Sequence, residues 1–263
     1  MPELATGGSK LYYEVEGAGD PLLFLHGLGS SSAAWAFQRT VFAADYELIL
    51  PDIRGHGRSG KPSGPYSMTL FASDIIALLD ALQIPAAHVV GLSLGGMIGF
   101  QMAVDYPERV RSLVAVNAGP EVVPRTFKER WAIWQRQLLV NLFSMDRIAE
   151  TIGTRLFPEP GQADLRQMAI EGFAANDKAA YKASTGAILG WSVRHQLSDI
   201  RCPVLLVAAD QDYTPVSTKE AFLAEIPDAR LVVIENCRHA TPLDQPQAFN
   251  AAVGEFLTSI ESG

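Results

Sequence analysis

Short apolar runs separated by stretches of helical periodicity constrain this fold more than any other feature of the sequence. Leu22–Leu25, Glu47–Leu50, His88–Val90, Leu113–Val116, Val204–Ala208 and Leu231–Ile234 have the length of strands. Several are apolar at consecutive positions, the pattern of parallel strands with both faces covered. Between them, Phe71, Ile75, Leu78, Leu79 and Leu82 form one helical stripe, with Ser67 placed as its N-cap. A second helix is expected after Leu94 and a third from about Val216 to Ile226. A last helix, starting near Asp244 with that residue as N-cap, carries Phe249, Val253, Phe256 and Leu257. Strands and helices in this alternation build a doubly wound α/β domain.

The rhythm breaks between about Pro120 and Gln196, a stretch with helical patterns, no convincing strand, and the tryptophans Trp131, Trp134 and Trp191. The expected organisation is an α/β core of residues 1–119 and 197–263 with a helical cap, 120–196, inserted between two strands. The tryptophans are expected to pack between the cap's own helices.

At 263 residues with 48% apolar and 19% charged residues, the chain suits one large folded domain. The net charge of −8, with no cluster of Lys or Arg to offset it, argues against a nucleic-acid partner. No run approaches the roughly 20 apolar residues of a membrane span, and Pro2, Glu3, Gly7 and Gly8 interrupt any secretory pattern. A soluble cytoplasmic protein is expected. Cys202 precedes one strand and Cys237 follows its expected neighbour. At about 3.3 Å per residue the two would lie roughly 15–20 Å apart, too far for a disulfide. Two isolated thiols make no metal site either.

The chemistry centres on Gly91-Leu92-Ser93-Leu94-Gly95, a G-x-S-x-G match directly after the strand His88–Val90 and opening a helix rich in small residues. In that setting a serine sits on a strained strand-to-helix elbow, and the flanking glycines avoid collision with nearby backbone. A serine hydroxyl needs a base and an orienting acid. Both are offered by loops at the carboxyl ends of later strands, where open α/β sheets place their sites. His239 follows Leu231–Ile234, and Asp212 follows Val204–Ala208 with Asp210 as its competitor. The turn His26-Gly27-Leu28-Gly29 follows the first strand and can aim the Leu28 N–H at the same point as that of Leu94, forming an oxyanion hole. His26 is read as bracing that turn.

These landmarks, with Asp52-Ile53-Arg54-Gly55-His56-Gly57-Arg58-Ser59 between them, resemble the α/β-hydrolase superfamily over residues 10 to 260. Within it the sequence is most similar to small bacterial esterases and 3-oxoadipate enol-lactonases. The resemblance implies a mostly parallel sheet flanked by helices, and hydrolysis of a small carboxylic ester or lactone without cofactor or metal. It also implies that Arg54, His56 and Arg58 brace the fold near the site. In the family's acid loop a glycine stands where this chain has Ala209, and Pro215 comes one residue early. A rarer family arrangement would make Glu121 the acid. C–C bond hydrolases, cofactor-free perhydrolases and non-enzymatic small-molecule sensors carry the same motifs and stay open as alternatives.

Overall fold

Each apolar run is a strand in the computed structural model, which describes residues 3–261. The chain opens with a hairpin of β1 (Glu3–Thr6) and β2 (Ser9–Glu16). Then follow β3 (Asp20–Leu25), α1 (Ala36–Phe42), β4 (Tyr46–Pro51), α2 (Met68–Ala81), β5 (Ala87–Leu92), α3 (Leu94–Asp105) and β6 (Val110–Val116). Next come α4 (Phe127–Leu142), α5 (Met145–Leu156), α6 (Ala163–Ala174) and α7 (Lys178–Ile188). The chain closes with β7 (Val204–Ala209), α8 (Val216–Leu223), β8 (Ala229–Ile234), α9 (Thr241–Asp244) and α10 (Pro246–Glu261).

The eight strands form one sheet in the order β1-β2-β4-β3-β5-β6-β7-β8. β1 and β2 are antiparallel additions at one edge, and every pairing from β4 to β8 is parallel. β4 lies on one side of β3 and β5 on the other. The strand order therefore reverses at β3, the kind of switch point at which open α/β sheets place their sites, outside the carboxyl ends of the strands.

Consecutive strand residues point to opposite faces, and here both faces are covered. Leu23, Leu25, Val89, Leu113 and Leu206 pack with Phe71, Ile75, Leu79 and Ile98 of α2 and α3. Leu22, Phe24, Val90, Val114 and Leu205 pack with Trp35, Phe42 of α1 and Phe249, Val253 and Leu257 of α10. Each such fully buried side chain contributes about 1.5–3 kcal/mol, so two filled faces explain why these strands tolerate no polar alternation. Ser67 caps α2, accepting from the Leu70 N–H at 3.1 Å.

Among the described residues, no helix is long and apolar enough to cross a membrane. Cys202 and Cys237 are free and buried.

Two local expectations are corrected. Trp131 and Trp134 are each 49% exposed and stack on one another with centroids 4.8 Å apart. The apolar stripe of α4, from Phe127 through Trp134 to Leu142, faces outward rather than into packing with neighbouring helices. Asp244 does not cap the final helix. It ends α9, and its carboxylate accepts from the Arg238 N–H at 3.0 Å and the Gln162 side chain at 2.6 Å. Those two donors draw the carboxylate towards the loop before α9.

Candidate active site

Ser93 is the first residue past β5 and the N-cap of α3, with φ 52° and ψ −110°. A left-handed φ at a serine is strained, and the surrounding chain holds it there. The Ser93 N–H bonds the Val116 carbonyl at 2.8 Å, and α3 presses close against the sheet. A Cβ on Gly95 would come within 2.0 Å of the Leu25 carbonyl oxygen, and one on Gly91 within 2.3 Å of the Gly95 carbonyl carbon. Glycine at both positions lets the helix begin immediately under the serine. Ser93 stays partly exposed while Leu92 and Leu94 are buried.

The turn after β3 lies beside it. A Cβ built on Gly27 would be 3.7 Å from the Ser93 Cβ. Gly29 adopts φ 76°, and its Cβ position is filled by the rings of Phe173 and Tyr181 from the helical segment above. His26 is wholly buried. Its Nε2 accepts from the Ile53 N–H at 2.9 Å, and its Nδ1 meets the Gly27 carbonyl at 2.8 Å, so the ring pins the turn to the segment after β4. Burial pushes the His26 pKa down, which keeps the ring neutral in this role.

The expected acid and base, Asp212 and His239, lie in the loops after β7 and β8. Asp212 Oδ1 lies 2.6 Å from His239 Nδ1. That contact fixes the Nδ1–H tautomer and leaves Nε2 as the ring's basic atom. Burial pushes the Asp212 pKa up. The hydrogen bond and charge of His239, together with the Lys219 ammonium, outweigh burial and hold the carboxyl well below the usual range. Tyr213 stacks on the imidazole at 4.4 Å between centroids, and the Arg155 guanidinium of α5 sits 5.5 Å from the Tyr213 ring centroid.

The competing acids are occupied elsewhere. Asp210 accepts from the Cys237 N–H at 3.1 Å. Glu121 pairs with Arg125 and Arg194 at 2.8 and 3.0 Å, far along the chain from His239. Arg54 makes a buried two-point contact with Asp74, both bonds 2.6 Å, and Arg58 binds Asp52 and Glu14. These are bracing contacts. Among the described residues, the His239 side chain hydrogen-bonds Asp212 and makes no hydrogen bond to Ser93.

Three contacts here involve residues the sequence reading did not single out. Asn117, at φ 47° just past β6, donates to the His239 carbonyl at 2.9 Å and to Thr241 Oγ1 at 2.8 Å. Its Oδ1 accepts from the Ala209 N–H at 2.8 Å, so one side chain joins the ends of β6 and β7 to the loop that follows β8. Asn176 reaches from the segment between α6 and α7 to the Gly29 carbonyl. Lys219 of α8 is buried against Asp212. Lys219 had a signal in the sequence: with Phe222 and Leu223 it falls on the apolar stripe of its helix, where a charged residue needs a partner.

A family model for the alpha/beta hydrolase fold matches residues 20–246. A protein provisionally named carbamate hydrolase RutD in Azorhizobium caulinodans is 35% identical over 99% of this chain and 100% of its own length. The 3-oxoadipate enol-lactonase 2 of Acinetobacter baylyi is 36% identical, with 92% of this chain and 91% of the relative covered. A solved hydrolase from Pseudomonas aeruginosa superposes with a TM-score of 0.89 at 30% identity, over 97% of each chain. Sheet order, elbow and sequence likeness agree, and the chain belongs to the α/β-hydrolase fold family of hydrolytic enzymes.

Proposed function

We propose that the chain hydrolyses a small carboxylic ester or lactone, with Ser93 as nucleophile, His239 as base and Asp212 as the orienting acid. The observation that carries this reading is the 2.6 Å Asp212–His239 contact, made by loops at the same end of the sheet as the strained Ser93 elbow. In this reading substrate binding brings Ser93 Oγ and His239 Nε2 into hydrogen-bond reach, a contact that often tightens only in the complex.

Ser93 Oγ attacks the carbonyl carbon as His239 Nε2 takes its proton. The oxyanion is held by the N–H groups of Leu28 and Leu94. The Leu94 N–H lies in the first turn of α3, where backbone donors lack intrahelical acceptors. Each such donor contributes about 3–4 kcal/mol to the transition state. The imidazolium returns its proton to the departing alkoxide, leaving an acyl-serine. Water, deprotonated by His239, then releases the acid and restores Ser93. In a lactone the alkoxide stays tethered and the product is a hydroxy or oxo acid. The enol-lactonase relative supports the ester or lactone class, and a carbamate carbonyl would follow the same steps. Residues 120–196 act as a cap over the core and set the substrate's size.

Turnover of short-chain p-nitrophenyl esters and simple lactones by wild type and Ser93→Ala tests this. Sustained turnover that falls by at least about 10⁴-fold in the variant is expected. Turnover that survives Ser93→Ala would exclude the nucleophile, and single-cycle kinetics in the wild type would favour a sensor.

A further inference from the structure

Lys219 has no part in the steps above, yet its ammonium lies 2.6 Å from Asp212 Oδ2, with the two side chains 3% and 1% exposed. It also donates to the Thr214 carbonyl at 2.8 Å and to the Thr214 hydroxyl. That hydroxyl in turn donates to Asp212 Oδ2 at 2.9 Å. All three ammonium protons therefore have acceptors. The carboxylate is divided: Oδ1 serves His239, and Oδ2 serves Lys219 and Thr214.

A buried lysine needs a counter-charge, and any buried carboxylate would satisfy it. Here the counter-charge is the acid that orients the base. We propose that Lys219 is a positioning residue that acts through Asp212 to lower the proton affinity of His239. With the lysine in place, the imidazolium forms beside an ion pair of zero net charge. Without it, the imidazolium would form beside an uncompensated carboxylate, which favours the charged ring. The lysine thus acts on the capacity of His239 to accept the serine proton. By holding Oδ2 it also stops the carboxylate rotating away from Nδ1.

The other groups facing this region act at longer reach. Tyr213 stacks on the imidazole and carries Arg155 over its ring. Arg238 lies 4.0 Å from Glu159, Asp244 accepts the Arg238 N–H, and Asp210 accepts the N–H of the buried Cys237. Among the described residues, Lys219 and His239 are the basic side chains within salt-bridge distance of Asp212.

This inference rests on the triad reading, and its test separates the two. The pH dependence of kcat/KM is measured for wild type, Lys219→Met, Lys219→Gln and Lys219→Arg. The His239 ring is titrated by NMR in a Ser93→Ala background with and without Lys219→Gln. Lys219→Gln removes the charge while retaining an amide donor, so it carries the test if Lys219→Met does not fold. The expected result is an acid-limb midpoint raised by about one pH unit in the uncharged variants, a parallel shift in the NMR titration, and a midpoint near that of wild type for Lys219→Arg. A merely structural lysine would lower stability and leave the midpoint in place. An unmoved or lowered midpoint in Lys219→Gln, with turnover still dependent on Ser93, overturns the role of the lysine alone. Turnover independent of Ser93 overturns the triad beneath it.

Discussion

Asn176 Nδ2 donates to the Gly29 carbonyl at 2.8 Å, so the segment between α6 and α7 is bonded to the turn that carries Leu28. The same nitrogen lies 3.0 Å from the Gly172 and Phe173 carbonyls, which holds the amide in place. The Gly29 carbonyl belongs to the Gly29–Ser30 peptide, two peptide units past the one that carries the Leu28 N–H, so the bond anchors the far side of the turn that holds the proposed oxyanion donor. Asn176→Ala removes a bond of about 1 kcal/mol in its effect on turn geometry. A fall in kcat of about 5-fold is expected, with KM changed less than about 2-fold. Steady-state kinetics on a p-nitrophenyl ester, with a boronic acid as transition-state mimic, reads both. A raised KM at constant kcat would mean that Asn176 serves ground-state binding instead.

Asn117 offers a second lever, this one on the histidine loop. Its side chain satisfies the buried Ala209 N–H and the His239 carbonyl from a left-handed backbone position. Asn117→Gly keeps that conformation free of strain and deletes the bonds. Leaving a buried N–H without an acceptor costs about 1–3 kcal/mol, and glycine adds roughly 0.5–1 kcal/mol of unfolded-state entropy. Urea unfolding should therefore show a loss of about 1.5–4 kcal/mol, with kcat also reduced because the His239 loop loses its anchor. Full stability in the variant would show that the surrounding backbone alone holds these strand ends.

The elements and residues that carry a signal in the sequence and those that do not differ in what defines them. β3 to β7 are legible because strands covered on both faces must be apolar at consecutive positions, and the half-exposed edge strand β8 still shows the apolar run Leu231–Ile234. The β1–β2 hairpin escapes that test. Its second strand interleaves Lys10, Glu14 and Glu16 with Leu11 and Val15, and only the Gly7-Gly8 turn, with φ 51° and 73°, marks it. Ser93, Asp212 and His239 announce themselves through local motifs at strand ends. Asn117, Asn176 and Lys219 have no comparable motif. Asn117 bonds residues 92 to 124 positions away and Asn176 one 147 positions away. Trp131 and Trp134 misled for the converse reason: an apolar stripe shows which face of a helix is apolar, not what that face meets.

The two aspartates of the β7 loop should separate cleanly. Asp212→Asn leaves the geometry nearly intact but lets the amide donate to Nδ1, favouring the wrong imidazole tautomer. A fall in kcat of about 10⁴ is expected. Asp210 only accepts the Cys237 N–H, and an amide oxygen can do the same. Asp210→Asn should keep kcat within about 3-fold. Comparable losses in both variants would mean that the loop as a whole, and not the Asp212 carboxylate, sets the rate.

His56 makes a prediction about stability with pH rather than about rate. It is wholly buried, its Nδ1 lies 3.0 Å from the Arg54 carbonyl, and its ring packs edge-on against His26 at 5.3 Å. Burial first, and then the neighbouring His26, push its pKa down to about 3. An unfolded chain protonates a histidine near 6.5, so below that pH the unfolded state takes up a proton that the folded state refuses. The stabilisation is complete above about pH 6.5 and is lost progressively as the pH falls towards 3. At pH 5 one such histidine costs about 2 kcal/mol, and His26 is shifted in the same direction. Asp52 and Asp212, whose pKa values are also lowered, add their losses only below about pH 4. Glu14, Glu121, Glu129 and Glu225 are lowered as well, from an ordinary value near 4.5, so the window from about pH 6.5 to 5.5 is the one that isolates the histidines. His56→Asn, which keeps a donor for the Arg54 carbonyl, should unfold in urea with a shallower loss of stability across that window. Equal slopes in wild type and variant would show that His56 is protonated in the folded protein well above pH 3.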